Sequence, residues 1–172
     1  QIRDKALGDW TISDDCTPPG EGAGIFVGHE IMDLSSQVLV LRPKTLSVGV
    51  GCNSGTDGKE LIDAVCRVLG AHRLSRASIA RFATISEKLA EPGMQAMAES
   101  FGRPLNGYDR EILAGVEGVQ NPSAMVEKHM GVNSVCEAAA IRAAGSGKLL
   151  VPKVKSGNVT VAVAAMPFTS SG

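Results

Sequence analysis

The chain has 172 residues, of which 44% are hydrophobic and 20% charged, enough for one α/β domain with an extension. Its 17 Lys and Arg residues are balanced by 18 Asp and Glu, and the net charge of −1 argues against duplex nucleic acid, whose binders carry a basic excess. Aromatic residues make up 3% of the chain, too few for a platform that stacks single-stranded bases.

Cysteine spacing and the start of the chain bear on the cellular setting. None of the four cysteines forms a Cys-x-x-Cys pair or has a His at a metal-site spacing; they are Cys16, Cys52, Cys66 and Cys136. Reduced thiols in a cytoplasmic protein, with no metal site, are therefore expected. The chain shows no charged-then-apolar leader and no apolar run of membrane-spanning length, so no membrane contact is predicted. Because the chain starts at Gln1, we expect a fragment or a processed product.

Residues 1–44 differ in composition from the rest of the chain. Pro and Gly predict a loop over Asp14–Gly24. Short strands are expected at Trp10–Ile12, Ile25–Val27 and Gln37–Leu41. Because this stretch is too short to bury a core of its own, we predict that residues 1–44 are the remnant of a preceding domain or a linker. Residues 45–172 are predicted to form the main domain.

The main domain is organised around Leu46–Thr56, which has the sequence LSVGVGCNSGT. Its first half combines β-forming residues with glycines that let another backbone or a ligand come close, which predicts a buried strand. A small polar loop follows, and Thr56 is predicted to cap the next helix through its hydroxyl. A strand end, a glycine-rich loop and a helix N-terminus together favour the binding of negatively charged groups.

Helices and strands alternate after this unit. Hydrophobic spacing predicts helices over Asp57–Gly70, from Pro92 to near Gly102, and over Asp109–Val116, Ser123–Met130 and Ser134–Gly145. Strands are predicted at Arg81–Ile85, Pro104–Tyr108, Lys148–Lys155 and Val159–Met166, before a fraying tail at Thr169–Gly172. Ser134 and Glu137 are predicted to form a capping box on the alanine-rich last helix.

The connections between these elements predict the fold. Helices between the earlier strands imply parallel pairs, whereas the short link Ser156–Asn158 makes the last two strands an antiparallel pair. The predicted fold is α/β, a three-layer α/β/α sandwich with a mixed sheet, preceded by a short β/loop extension. Since the carboxyl ends of parallel strands share one edge of a sheet, Cys52–Thr56 and Lys88–Glu91 are expected to line one cleft there.

The glycines of the central unit also imitate a dinucleotide-binding fingerprint. The pattern lacks the acidic residue expected at the end of the second strand, because Ile85 is followed by Ser86. No Gly-Lys-Ser/Thr follows the loop, which excludes a Walker phosphate loop. A nucleotide-binding enzyme domain stays a weaker hypothesis than the two described below. A thermal shift on addition of a nucleotide would support it, and we expect none.

Four motifs in order give the chain a family resemblance. The patterns GIGCRRGT, ATIDLKADEPG, SVAEAAA and LLVPKxKxxxVTVAVA correspond here to Gly49–Thr56, Ala83–Gly93, Ser134–Ala140 and Leu149–Ala164. From about Arg42 to Met166 the chain resembles the C-terminal part of the CbiG family, the cobalt-precorrin-5A hydrolases of anaerobic cobalamin biosynthesis. It equally resembles CobE, a stand-alone version of that domain in the aerobic pathway.

Departures from the family pattern limit what the resemblance implies. Asn53 and Ser54 replace a tandem Arg pair, and Ser86 replaces an acidic residue, so the charge contacts of those residues cannot be transferred. Residues 1–44 contain no match to the Gly-Asp-His-Gly-Gly type of motif that full hydrolases carry in an N-terminal domain. The catalytic assembly is therefore expected to be incomplete in this chain.

The resemblance implies a corrinoid precursor as ligand, with cobalt only as part of the substrate and no cofactor. In the family reaction, water opens the ring-A lactone and a methylated ring carbon leaves as acetaldehyde. The implied function is the corrinoid-binding domain of such a hydrolase or, alternatively, a non-catalytic CobE-like carrier, with other enzymes of the pathway as candidate partners. The residues expected to bind the ligand are Gly51, Cys52, Asn53, Ser54, Gly55, Thr56, Lys88, Lys153 and Lys155.

Each candidate side chain has a structural alternative. Cys52 is a candidate nucleophile whose pKa a helix N-terminus would lower, but no His lies nearby in sequence, and the alternative is a packed thiol. Glu91 is a candidate general base for water, or a carboxylate placed favourably at a helix N-terminus. Lys153 and Lys155 either face the acidic side chains of a tetrapyrrole or protect an edge strand that Pro152 marks.

Overall fold

The computed structural model describes residues 23–120, 134–145 and 147–167. The predicted strand Trp10–Ile12, helix Ser123–Met130 and tail Thr169–Gly172 lie outside the described residues, as does most of the predicted loop Asp14–Gly24. The strands in the described ranges are β1 (Gly24–Val27), β2 (Val38–Leu41), β3 (Leu46–Cys52), β4 (Ile79–Ile85), β5 (Leu105–Tyr108), β6 (Lys148–Ser156) and β7 (Val159–Ala165). The α-helices there are α1 (Gly58–Ala71), α2 (Pro92–Phe101), α3 (Arg110–Ala114) and α4 (Val135–Ala143).

Five strands form the main sheet in the order β5-β4-β3-β7-β6. Strands β3, β4 and β5 run parallel, while β7 is antiparallel to both of its neighbours, β3 and β6. Only Gly157 and Asn158 separate β6 from β7, and Gly157 has a φ of +61°, in the left-handed region that such tight turns require. The mixed sheet predicted from the sequence is confirmed.

Helices cover both faces of this sheet. On one face Leu46, Val48 and Val50 of β3 pack with Leu61 and Val65 of α1 in the largest buried cluster, which also takes in α2. Burying each such side chain contributes about 1.5–3 kcal/mol. On the other face α4 packs on β3, β4 and β7, and α3 packs on α4. The three-layer sandwich is therefore confirmed.

Helix α4 lies close to the sheet because both surfaces carry small residues. Its alanines at 138, 139 and 140 are fully buried. A Cβ added to Gly49 of β3 would lie 1.8 Å from the carbonyl oxygen of Cys136. The absence of a side chain at Gly49 therefore sets the position of α4 against the sheet.

Strands β1 and β2 form a separate, parallel, two-stranded sheet. It is tied to the main domain at His29, whose carbonyl oxygen accepts the Ser75 N–H at 2.7 Å and whose Nδ1 lies 3.1 Å from Thr45 Oγ1. Large apolar side chains are exposed on or beside it: Ile25, Val27, Ile31, Leu39, Val40 and Leu41. The strands expected at Ile25–Val27 and Gln37–Leu41 are confirmed, and the boundary between residues 44 and 45 stays a prediction.

The predicted cap of α1 is wrong. This helix begins at Gly58 with Asp57 as its N-cap residue, one position later than expected. The Thr56 hydroxyl instead donates to the Asn53 carbonyl oxygen at 2.7 Å. That bond closes the preceding loop on itself, so Thr56 shapes the loop rather than satisfying a helix amide.

Candidate functional site

Three chain segments converge where β3, β4 and β5 end, which we call the carboxyl edge of the sheet. Residues 53–57 leave β3 there and residues 86–91 leave β4. The β6–β7 turn reaches the same edge, because Cys52 pairs with Val159 in the sheet. Asn53 donates its N–H to the carbonyl oxygen of Asn158 at 3.1 Å, and their side-chain amides make a second bond of 2.9 Å.

Four residues at this edge form what we call the carboxylate clasp: Ser54, Gly55, Lys88 and Glu91. Lys88 Nζ donates to Ser54 Oγ at 2.9 Å and to Glu91 Oε1 at 2.8 Å. The second carboxylate oxygen, Glu91 Oε2, accepts the N–H of Gly55 at 3.1 Å. Gly55 has a φ of +75°, a left-handed backbone conformation that side chains disfavour. The clasp thereby joins the β3 loop to the β4 loop.

The structure confirms that Cys52–Thr56 and Lys88–Glu91 share the carboxyl edge. The clasp bonds one loop directly to the other, and a cleft lined by both loops stays a prediction. Two surface cavities in the described part of the chain are lined by other residues than the clasp, and the second of them borders the carboxyl edge at Asp57 and Gly157. One is formed by α3, α4 and the start of β6, and the other by α1 and the β6–β7 turn.

Glu91 is held as an anion in the clasp. The hydrogen bond from Lys88, and after it the bond from the Gly55 N–H, lowers the pKa of the Glu91 carboxyl below its usual range. Both carboxylate oxygens are engaged, so accepting a proton from water would first require release from these donors. The role of Glu91 as a general base stays a prediction.

The expected lowering of the Cys52 pKa is wrong. Burial of the half-exposed thiol raises its pKa above the ordinary value, and the positive charge of Lys88 only partly offsets this. Cys52 is the last residue of β3 and packs against the main core, while α1 starts only at Gly58. Desolvation is the largest influence on this thiol, which favours the packed-thiol alternative.

Lys153 and Lys155 lie near the end of β6, the edge strand beside β7. The pairing of β6 with β7 shifts register between Val151 and Val154, so Pro152 marks both an edge and a bulge, as predicted. Ser156 pairs with Val159, which brings this end of β6 to the carboxyl edge. Neither lysine forms an ion pair with a described residue. Their role in binding stays a prediction.

Glu137 is a buried carboxylate, and the capping box predicted for Ser134 and Glu137 is wrong. Ser134 is the N-cap residue of α4, but its side chain makes no capping bond. The fully buried Glu137 carboxylate accepts the Lys153 N–H at 2.6 Å and the Gln120 N–H at 2.8 Å. These charge-assisted bonds tie the β6 bulge and the segment after α3 to α4.

The described cysteines, Cys52, Cys66 and Cys136, are free thiols. Within residues 23–120, 134–145 and 147–167, no group of three or more His, Cys, Asp or Glu side chains is placed to hold a metal ion. The same part of the chain has no helix that is long and apolar enough to cross a membrane.

Comparisons with known proteins identify the family of the chain. The family described as "Cobalamin synthesis G C-terminus" matches residues 46–164. The chain is 35% identical over 130 residues to a cobalt-precorrin-5A hydrolase from Priestia megaterium. That match covers 76% of this chain and 34% of the hydrolase. It is 31% identical over 121 residues to the protein CobE from Sinorhizobium sp. That match covers 69% of this chain and 79% of CobE.

A solved structure supports the same relationship. The crystal structure of CobE, described as a protein from the cobalamin (vitamin B12) biosynthetic pathway, matches with a TM-score of 0.66 and 31% identity. That match covers 74% of this chain and 94% of the CobE chain. This chain belongs to the cobalamin synthesis G C-terminus family, as its motifs predicted. It spans about a third of the length of the Priestia hydrolase and most of the length of CobE.

Proposed function

We propose that this chain is the corrinoid-binding domain of a cytoplasmic cobalt-precorrin-5A hydrolase, and that it binds its ligand at the carboxyl edge. The observation that carries the proposal is the gathering of anion-binding donors there. Gly55 and Lys88 already hold a carboxylate, and Lys153 and Lys155 lie on the same edge. Corrinoid precursors carry many carboxylates, which pair well with ammonium and backbone N–H donors. Cobalt enters only as part of the substrate, and no resident cofactor is proposed.

The family reaction requires two kinds of group around the lactone. Attack by water needs a base, and the oxyanion that develops needs hydrogen-bond donors. Backbone amides of Gly51–Thr56 are the proposed donors. Those of Asn53, Gly55 and Thr56 already donate within the protein, so they serve an oxyanion only after these bonds open. Glu91 could serve as the base only after it leaves Lys88 and Gly55. We therefore assign most of the acid–base work to a domain like the N-terminal domain of the full hydrolases.

The second candidate function is a non-catalytic carrier that resembles CobE. Similarity to the solved structure of CobE supports it, with a TM-score of 0.66 and 31% identity. A carrier needs donors for the carboxylates of the corrin but no base for water, which also fits the engaged state of Glu91. It would pass its ligand to other enzymes of the pathway.

An absorbance titration with a stable corrinoid that bears free carboxylates tests binding. We expect affinity to fall as salt rises, because exposed charge contacts are screened. Lys153→Ala combined with Lys155→Ala should weaken binding further. The matched control is Arg142→Ala combined with Lys148→Ala, which removes two exposed positive charges from the opposite end of α4 and β6. Equal affinity of both double variants would indicate that Lys153 and Lys155 only protect the edge strand and do not bind the ligand.

Acetaldehyde release from cobalt-precorrin-5A separates the two functions. We expect little or none from this chain alone, and turnover when a separately supplied N-terminal hydrolase domain is added. Turnover by this chain alone would contradict the carrier function and place the chemistry in the Gly51–Thr56 loop. Binding without turnover under both conditions would favour the carrier.

A further inference from the structure

The carboxylate clasp contains the donors of a carboxylate-binding site, and a side chain of the protein itself occupies them. One ammonium group and one backbone N–H donate to a carboxylate that belongs to Glu91, and the Ser54 hydroxyl accepts from the same ammonium group. Proteins bind the carboxylates of ligands with the same kinds of donor. The donors come from two loops at the ends of neighbouring strands, the position where open α/β sheets collect ligands.

We propose that Ser54, Gly55 and Lys88 form a carboxylate subsite, and that Glu91 fills it until a carboxylate of the corrinoid takes its place. The inference rests on the proposed function for the identity of the ligand. The exchange replaces one carboxylate by another on the same donors, so the subsite stays charge-balanced throughout. Glu91 is then a competitor of the ligand rather than a group that binds it.

The backbone around Glu91 permits this exchange without unfolding the loop. Its carbonyl oxygen accepts the N–H groups of Met94 and Gln95 at 3.0 and 3.2 Å, which fixes the start of α2. Its side chain makes no capping bond to that helix. Rotation of the side chain alone would free Lys88 and Gly55. Both charged side chains are already partly open to water, at 21% for Lys88 and 18% for Glu91.

The test compares Glu91→Gln with Glu87→Gln in the corrinoid titration. Glu91→Gln removes the competing charge from the clasp, so we expect binding roughly three- to fivefold tighter than in the unaltered chain. Glu87 lies in the same turn but pairs with Arg110 outside the clasp, at 3.0 Å. Glu87→Gln therefore reports the general effect of removing one negative charge, which we expect to be smaller than about twofold.

Two further arms keep the outcome decisive. Glu91→Asp has a shorter carboxylate that cannot reach both Lys88 and Gly55, so it should also tighten binding and covers the case in which the Gln variant folds poorly. A corrinoid with all its carboxylates amidated should gain nothing from either variant. Equal or weaker binding by both Glu91 variants, while the unaltered chain binds, would overturn the subsite alone. Absence of binding by every form would overturn the proposed function as well.

Discussion

Replacing Gly49 by alanine is expected to lower the free energy of unfolding by about 3 kcal/mol or more. A Cβ at this position would lie 1.8 Å from the carbonyl oxygen of Cys136 and 2.9 Å from the backbone N of Ala140. These are backbone atoms of α4 and cannot rotate away, so the helix must move off β3. Urea denaturation of the purified chain measures the loss.

Gly51→Ala is the matched control for Gly49→Ala. It adds the same methyl group to the same strand, but there the Cβ meets only the side-chain oxygen of Thr160, at 2.7 Å. A change of the Thr160 rotamer relieves that contact, so we expect a loss of about 1 kcal/mol or less. Similar losses for the two variants would contradict the argument that the backbone of α4 rests directly on Gly49.

Replacing Glu137 by alanine should have a comparable effect, about 3 kcal/mol or more. The substitution removes the acceptor of two charge-assisted hydrogen bonds, from the N–H groups of Lys153 and Gln120. Each such bond contributes about 1.5–3 kcal/mol, and each donor left without an acceptor adds a desolvation cost. Urea denaturation gives the total, and hydrogen exchange of the two amides gives the local effect.

Two control variants define what Glu137 does. Glu137→Gln keeps a side-chain oxygen for one N–H group and should lose less stability than the alanine variant. Glu99→Ala removes an exposed glutamate of α2 and should change stability by less than about 0.5 kcal/mol. If the Lys153 amide of Glu137→Ala exchanges as slowly as in the unaltered chain, the bulge does not depend on this carboxylate.

Sheet architecture could be predicted well because its signals are local. The alternation in Leu46–Cys52, the helical spacing in Gly58–Ala71 and the short Gly157–Asn158 turn are each visible in a few consecutive residues. Together they are enough to predict that the earlier strands pair in parallel and that the final pair is antiparallel. The parallel pairing of β1 with β2 was not predicted, since it depends on how the chain crosses over between them.

Side-chain chemistry was predicted less well because it depends on tertiary contacts. The spacing of Ser134 and Glu137 suits a capping box, yet the Glu137 carboxylate bonds to N–H groups that are distant in sequence. A helix N-terminus favours a lowered pKa for Cys52, yet burial raises it. The position of Lys88–Glu91 beside the β3 loop was predicted correctly, because both segments follow parallel strands whose carboxyl ends share one edge of the sheet. The sequence alone could not predict that Glu91 itself would occupy the donors, because this depends on how the two loops lie against each other.

Mapping the corrinoid onto backbone amides by NMR tests the central claim most directly. A labelled chain is titrated with a stable corrinoid that bears free carboxylates, and each amide shift is followed to saturation. We expect the largest changes at the carboxyl edge, at Gly55, Lys88 and Lys155, and no comparable change at Lys44 or Arg103 at the opposite edge of the sheet. Shifts concentrated at that opposite edge, or no shifts at a saturating concentration, would contradict corrinoid binding at the carboxyl edge.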